Sequence, residues 1–261
     1  MPAAFTLTDA GTRVVATAIH AGHDLRPSLG DLVALDDAAR LREEDPYTDL
    51  FAPPSVTTCV VHRSRFEVDL NRPRDEAVYR RPEDAWGLQV WERPLPQQEL
   101  ERSLALYDEF YGALAEHLDR LAETGPFLVL DLHSYNHLRD GPLEPPAPLK
   151  DNPEVNLGTG SLDRDRWGGL AEAFVEQLGR QQVRGRPLDV RENVRFRGGE
   201  LSKWVHRRYA GVGVALAIEF KKVFMDEWSG ELDRGRAGEL RTALAAVLPT
   251  LLEELRWPAR R

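Results

Sequence analysis

Two histidines and a glutamate stand at or beside the ends of three apolar runs in the sequence. His20 and His133 each directly follow such a run, and Glu219 is the penultimate residue of a third. The runs predict buried strands and are Arg13–Ile19, Pro126–Leu132 and Gly211–Phe220. Polar side chains at the carboxyl ends of strands in an α/β sheet meet along one edge. Two histidines and a carboxylate converging there resemble a catalytic zinc site, whose protein ligands leave one position open for water.

Asp131 stands two residues before His133, so in an extended backbone both side chains point to the same face. One interpretation is that Asp131 accepts a hydrogen bond from the second ring N–H of a metal-bound histidine and fixes its tautomer. The alternative is that Asp131 caps the turn that follows the strand. Both interpretations remain open from the sequence.

Several basic and amide side chains are candidates for binding a carboxylate. Asn71 and Arg72 are adjacent at a predicted strand exit, where guanidinium and amide donors can grip both carboxylate oxygens. Arg65 precedes them in the same stretch, and Arg195 precedes the pair Gly198–Gly199, which lets backbone approach a ligand. The alternative for Arg72 is an ion pair with a surface acid.

Strands alternating with amphipathic helices predict an α/β fold, with a mostly parallel sheet and helices on both faces. Ser55–Leu70 is expected to form one or two strands. The predicted helices are Gln98–Glu123, Trp167–Leu178, Glu200–Tyr209 and Gly235–Leu255. Segments rich in proline and glycine predict long loops near 71–97 and 134–166. These loops are too irregular to be separate domains, so residues 1–261 are expected to form a single domain.

Composition restricts the partners. The net charge is −9 and no basic stripe interleaved with aromatics occurs, which argues against a nucleic-acid partner. The single cysteine, Cys59, excludes an internal disulfide and a multi-cysteine zinc site. No secretory signal or apolar stretch of about 18 residues is present, so we expect a cytoplasmic protein without membrane contact. The sequence gives no indication of the oligomeric state.

Seven motifs occur in the order seen in the N-formylglutamate amidohydrolase family, and the chain resembles that family from His20 to Glu219. The motifs are IHAGHDLRP, EEDPYTDLF, SRFEVDLNRP, LDLHSY, NLGT, RFRGG and AIEF. The stretches DLNRP and DLHS are the most specific of them. The family is similar to the zinc carboxypeptidase and aspartoacylase-type hydrolases.

The resemblance implies a three-layer α/β/α fold of the phosphorylase/hydrolase-like type, one Zn²⁺ ion, and hydrolysis of an amide whose acid part carries a free carboxylate, such as N-formylglutamate. Carried over by motif, His20 and His133 are metal ligands. The third ligand comes from EEDPYTD, with Asp45 the first choice and Asp49 the second. Glu219 matches the strand-end acid of the family and is expected to act as the general base.

The same resemblance assigns four further polar residues to the substrate. Asn71, Arg72, Arg65 and Arg195 are expected to hold the substrate carboxylate, and either Arg65 or Arg195 to polarise the scissile carbonyl. Arg26 either contacts the substrate or pairs with a nearby acid such as Asp24.

His23 is where the chain departs from the family, whose better-known members have another residue type there. His23 follows His20 by three residues, the spacing at which carboxypeptidase-type enzymes place a ligand. It is therefore a candidate ligand, although substrate binding or support of the metal site is favoured because the Glu44–Asp49 segment offers acidic ligands.

Two other functions fit the same residues. One is a zinc carboxypeptidase-like peptidase, or a deacylase acting on a larger N-acyl amino acid or peptide. The volume of the substrate pocket would distinguish such an enzyme from an N-formylglutamate hydrolase. The other is a metal-binding module without catalytic activity. The presence of Glu219 favours an enzyme, because a binding module needs no base at that position.

Overall fold

A mixed seven-stranded sheet forms the centre of the molecule in the computed structural model, which describes residues 3–256. The strands of the chain are β1 Phe5–Thr8, β2 Val14–Ala18, β3 Thr57–Val61, β4 Phe127–Tyr135, β5 Val155–Gly158, β6 Gln182–Val183, β7 Arg186–Pro187, β8 Val190–Glu192 and β9 Gly213–Lys221. In the sheet they follow the order β1-β3-β2-β4-β9-β5-β8, while β6 and β7 form a separate hairpin. The four central strands run parallel, and antiparallel pairs join β1 to β3 and β5 to β9.

Helices cover both faces of the sheet. They are α1 Asp37–Glu43, α2 Gln97–Thr124, α3 Arg164–Gly179, α4 Glu200–Arg208 and α5 Arg234–Arg256. Alternate strand residues enter two different cores, as the pleat requires. Leu128 and Leu130 of β4 pack in a core with residues of α3 and α5. Val129, between them, packs in a core with residues of α2 and α4. The predicted α/β/α layering is therefore confirmed.

The four predicted helices are present, with ends shifted by at most three residues. The strand prediction over Ser55–Leu70 was only partly right, because the ladder ends at Val61 and the chain then turns. The loop predicted near 134–166 contains β5, which lies in the main sheet beside β9. Strand β5 has four residues within a proline-rich segment, so its sequence carries little periodic signal.

The loop predicted near 71–97 is irregular but well packed. Tyr79, Val90 and Trp91 share a small core with Leu29 and Phe66. The Trp91 indole N–H donates to the Tyr79 carbonyl over 2.7 Å. This loop therefore has a fixed position beside the sheet rather than extending into solvent.

Within residues 3–256, no helix is both long and apolar enough to cross a membrane. Cys59 is buried in β3, and burial raises the pKa of its thiol to about 12. A thiol with this pKa stays protonated at neutral pH, which fits a core residue rather than a nucleophile. The domain prediction also covers residues 1–2 and 257–261, which lie outside the described part of the chain.

Candidate metal centre and substrate cavity

The side chains of His20, Asp45 and His133 converge at the carboxyl ends of the central strands. One ligand-type atom of each lies within 4.8 Å of the other two, and all three residues are buried. His20 stands two residues after β2, and His133 lies in the neighbouring strand β4. Asp45 follows α1, and its backbone N–H donates to the His20 carbonyl over 2.9 Å. Two parallel strands and one anchored turn thus bring together residues that are distant in sequence.

The distances between these atoms fit a small tetrahedral cation. Asp45 Oδ2 lies 3.3 Å from His20 Nδ1 and 3.1 Å from His133 Nδ1. Zinc–ligand bonds of about 2.0–2.1 Å give tetrahedral edges of about 3.3–3.4 Å. Two imidazole nitrogens and one carboxylate oxygen also match the mixed nitrogen and oxygen donors that zinc accepts in catalytic sites.

The other nitrogen of each imidazole contacts a buried carboxylate. His20 Nε2 lies 2.8 Å from Asp69 Oδ1, and His133 Nε2 lies 3.0 Å from Asp131 Oδ1. Thr17 donates its hydroxyl to the same Asp131 oxygen over 3.0 Å. A carboxylate behind a histidine fixes the tautomer in which Nδ1 carries the free lone pair. The proximity of Asp131 to His133 matches the first of the two interpretations drawn from the sequence.

Electrostatics favour an ionised Asp45. Burial raises its pKa, but the adjoining imidazoles of His133 and His20 lower it more, so the pKa of Asp45 lies well below its usual value. Ser134 also donates its hydroxyl to Asp45 Oδ1 over 3.2 Å. A carboxylate held in its charged form is ready to bind a cation.

Glu219 lies beside His133 across the β4–β9 ladder, where the two residues are register partners. Its side chain faces the same cavity as the three converging residues. Burial raises the pKa of Glu219 to about 8, an effect that the nearby His133 partly opposes. A carboxyl group with a raised pKa can take up a proton at neutral pH and release it again, as general acid–base chemistry requires.

A cavity of about 220 Å³ opens over these side chains. It is lined by His20, Glu43, Asp45, Arg65, Asn71, Trp86, His133, Ser134, Tyr135, Asn136, Arg139, Phe196, Glu219 and Lys222. Pockets for drug-sized molecules usually measure about 300–1,000 Å³. The cavity therefore suits a ligand smaller than a peptide.

Two of the predicted substrate residues line this cavity. Asn71 Nδ2 lies 3.4 Å from His133 Nε2, and Asn71 Oδ1 accepts from the Leu201 N–H at the start of α4. A Cβ at Gly199 would lie 2.2 Å from Asn71 Oδ1, so glycine permits this contact. The Gly-Gly pair thus makes room for Asn71, where the sequence suggested room for a ligand. Arg65 also faces the cavity, but its guanidinium already donates to Asp69 over 2.7 Å.

Arg72 and Arg195 do not line the cavity. The Arg72 guanidinium lies over the Tyr79 ring and 3.6 Å from Asp69, and it faces a neighbouring surface cavity. Arg195 is exposed and donates to Asn152 Oδ1 over 2.8 Å. Either guanidinium would have to leave these partners to reach a substrate beside the metal centre.

The other candidate residues also have partners of their own. His23 Nδ1 lies 2.6 Å from Glu44 Oε2, and neither His23 nor Asp49 belongs to the converging set. Arg26 is buried and donates to Glu67 and Glu99, as well as to Ser103. These contacts differ from the pairing of Arg26 with Asp24 considered above.

Several side chains at the site were not expected from the sequence, among them Glu43, Asp69, Asn136, Arg139 and Lys222. Asp69 had a usable signal, because it precedes Asn71 by two residues just as Asp131 precedes His133. The Asn136 Oδ1 is buried at the cavity without a hydrogen-bond partner within residues 3–256. Such an atom is available to a polar group of a bound ligand.

A sequence model of the N-formylglutamate amidohydrolase family matches residues 12–225. The chain belongs to this family. It is 27% identical over 262 residues to an N-formylglutamate deformylase of Pseudomonas aeruginosa, and the match covers 90% of each chain. Membership agrees with the motif order read from the sequence.

Solved structures share the fold. The N-formylglutamate amidohydrolase from Ralstonia eutropha superposes with a TM-score of 0.75 at 21% identity, covering 97% of this chain and 98% of that one. A protein from Agrobacterium tumefaciens gives a TM-score of 0.69 at 18% identity, covering 97% and 96%. The α/β/α architecture described above is therefore that of the N-formylglutamate amidohydrolase family.

Proposed function

We propose that this protein is a zinc-dependent amidohydrolase that removes the formyl group from an N-formyl amino acid such as N-formylglutamate. One observation carries the proposal: His20, Asp45 and His133 converge in a cavity that Glu219 also faces. This combines a cation-binding donor set with a carboxyl group able to move protons. Family membership and the named activity of the P. aeruginosa relative support the same reaction.

His20, His133 and Asp45 would hold the cation. When bound, a zinc ion supplies a Lewis acid that polarises a carbonyl and lowers the pKa of water. Glu219 accepts a proton from the attacking water and delivers it to the leaving nitrogen. The products are then formate and the free amino acid.

Other side chains of the chain orient the substrate. Asn71 and Arg65 present N–H donors to a substrate carboxylate from one side of the cavity. Asn136 Oδ1, which has no hydrogen-bond partner within residues 3–256, can accept from the amide N–H of the substrate. Trp86 is half exposed at the cavity and stacks with the Arg65 guanidinium at 4.8 Å, which narrows access to the reacting groups.

The cavity size favours this substrate class over the alternatives. A volume of about 220 Å³ suits an N-formyl amino acid better than a peptide or a long N-acyl chain. A peptidase or deacylase acting on larger substrates would need the Trp86 segment to move aside.

The test begins with metal analysis of the purified protein, followed by assays of formate release from N-formylglutamate, N-acetylglutamate and short peptides. We expect about one zinc per chain and turnover of the formyl substrate. Preference for the acetyl substrate or the peptides would favour the deacylase or peptidase. Bound metal without turnover of any of them would favour the metal-binding module.

A further inference from the structure

Lys222 is a buried cation that lines the cavity and that the proposed chemistry has not used. It is 2% exposed and stands three residues after Glu219. Its Nζ donates to the carbonyls of Arg42 and Glu44, each over 2.6 Å. An ammonium group has three N–H donors, so these contacts leave one donor without a partner among residues 3–256.

The charge of Lys222 has no close counterion in the described part of the chain. No carboxylate of residues 3–256 lies within 4.0 Å of its Nζ. Charges that act on it from farther away belong to Asp45, Glu43, Glu227 and Arg65. Burying an unpaired ammonium costs several kcal/mol, so such groups are usually paired or functional.

The nearby carboxylates are committed to other partners. Asp45 belongs to the converging metal-binding set, Glu43 pairs with Arg42 at 3.5 Å, and Glu227 accepts from the backbone N–H groups of residues 137 and 138. A bound dication would offset the negative charge of Asp45, which would then stabilise the Lys222 ammonium less. The third N–H of the Lys222 ammonium group is then available to donate to an anion that enters the cavity.

Asn71 and Lys222 lie against different parts of the metal centre. Asn71 contacts His133, whereas Lys222 contacts the carbonyl of the residue directly before Asp45. A substrate carboxylate near Asn71 therefore leaves the Lys222 end of the cavity for a second anionic group.

We propose that Lys222 is a specificity-determining residue that binds the distal carboxylate of a dicarboxylic substrate. The inference rests on the proposed function and assigns a residue of this chain to the side-chain carboxylate of an acidic N-formyl amino acid. Lysine suits this role because its compact ammonium fits between two carbonyls and still donates to a carboxylate. The chain has 34 lysines and arginines, of which only Lys150, Lys203, Lys221 and Lys222 are lysines.

The test compares Lys222→Met with Lys221→Met. Lys221 is the matched control because it is buried, donates its Nζ to the Asn152 carbonyl over 3.0 Å and does not line the cavity. Calorimetry measures binding of the products L-glutamate and L-glutamine, and kinetics measure hydrolysis of their N-formyl derivatives. Glutamate and glutamine, like their N-formyl derivatives, form an acid–amide pair whose members differ mainly in the charge at the end of the side chain.

We expect the wild type and Lys221→Met to prefer the acidic member of each pair. Lys222→Met should lose about tenfold to a hundredfold of that preference, as for other hydrogen bonds between charged groups, with little change for the amide member. Equal losses for both members, with lower zinc content, would overturn the proposal and assign Lys222 to holding the segment before Asp45.

The calorimetric binding measurements test this inference separately from the proposed function. If the wild type hydrolyses no N-formyl substrate, the proposed function fails. A glutamate-over-glutamine binding preference that Lys222→Met abolishes would still support the role of Lys222. Absence of any such preference in the wild type would overturn it.

Discussion

Each imidazole of the candidate metal centre is held between two carboxylates. His20 lies between Asp45 and Asp69, and His133 lies between Asp45 and Asp131. Asp45 is shared, so one acidic residue orients both rings towards the same point. The two outer carboxylates set the tautomers, which frees both Nδ1 atoms for a cation.

At this scale the first test concerns Glu219. Glu219→Gln keeps the shape of the side chain but removes its ability to accept and release a proton. We expect kcat to fall by about 10²–10⁴-fold, the usual contribution of general acid–base catalysis. Zinc content, measured by elemental analysis, should stay unchanged because Glu219 is not one of the three converging residues.

Glu43→Gln is the control for the Glu219 variant. Glu43 also lines the cavity but pairs with Arg42 at 3.5 Å, so its replacement should cost much less activity. Equal activity losses in both variants, or full activity in Glu219→Gln with metal bound, would rule out Glu219 as the base.

Residue types at strand ends were enough to predict the convergence of His20, His133 and Glu219. They could not distinguish Asp45 from Asp49, because the chain direction after α1 depends on a left-handed turn at Tyr47. They also could not identify Lys222, whose proposed role rests on its burial without a counterion among the described residues. Burial and pairing are three-dimensional properties that spacing along the chain does not encode.

At the scale of elements, the turn after β2 depends on a close approach between two backbones. A Cβ at Gly22 would lie 2.2 Å from the carbonyl carbon of His62, beyond the end of β3. The Asp24 N–H donates to the His62 carbonyl over 3.0 Å, which ties the two segments together. This turn carries His20, so the contact positions a candidate metal ligand.

Gly22→Ala tests the importance of this contact. Forcing a methyl group into backbone atoms should lower the free energy of unfolding by about 1–3 kcal/mol, as overpacking usually does. The matched change is Gly112→Ala in α2, where nothing lies within 4 Å of the new Cβ. That variant should gain about 0.5–1 kcal/mol from helix propensity. Urea unfolding measures both, and equal stability of the two variants would contradict the predicted clash.

Long amphipathic helices and long buried strands were predictable at this scale, and the short elements were not. Strands β5 and β8 have four and three residues, which is too short for a periodic pattern. Their place in the sheet is set by pairing with β9 and with each other. Such pairing is a tertiary contact, so the segment around β5 looked like a loop in the sequence.

For the whole molecule, His206 links stability to pH. The Ala215 N–H donates to His206 Nε2 over 3.0 Å, so the proton resides on Nδ1, which lies 2.8 Å from Ser161 Oγ. Burial lowers the pKa of His206 from 6.5. The unfolded chain therefore binds a proton more readily than the folded protein, and stability must fall as the pH drops below 6.5.

Replacing His206 with Gln removes this titration. The free energy of unfolding of the wild type, measured in urea between about pH 8 and about pH 5, should fall more steeply on the acid side than that of His206→Gln. Parallel pH profiles would show that His206 does not contribute to the pH dependence. His62 is only partly buried and its Nε2 lies 2.8 Å from the Thr6 hydroxyl, so His62→Gln is a comparison variant.

The converging residues are distant in the chain, since Asp45 is 25 residues from His20 and 88 residues from His133. An unfolded chain does not keep such distant groups together, so a cation that binds them acts as a ligand of the native state alone. At a free concentration one hundred times its Kd, the cation adds about 2.7 kcal/mol to the stability of the protein. A chelator should therefore lower Tm, zinc should restore it, and Asp45→Asn should remove the response. If so, the amount of this protein that survives proteolysis in a cell would follow the supply of zinc.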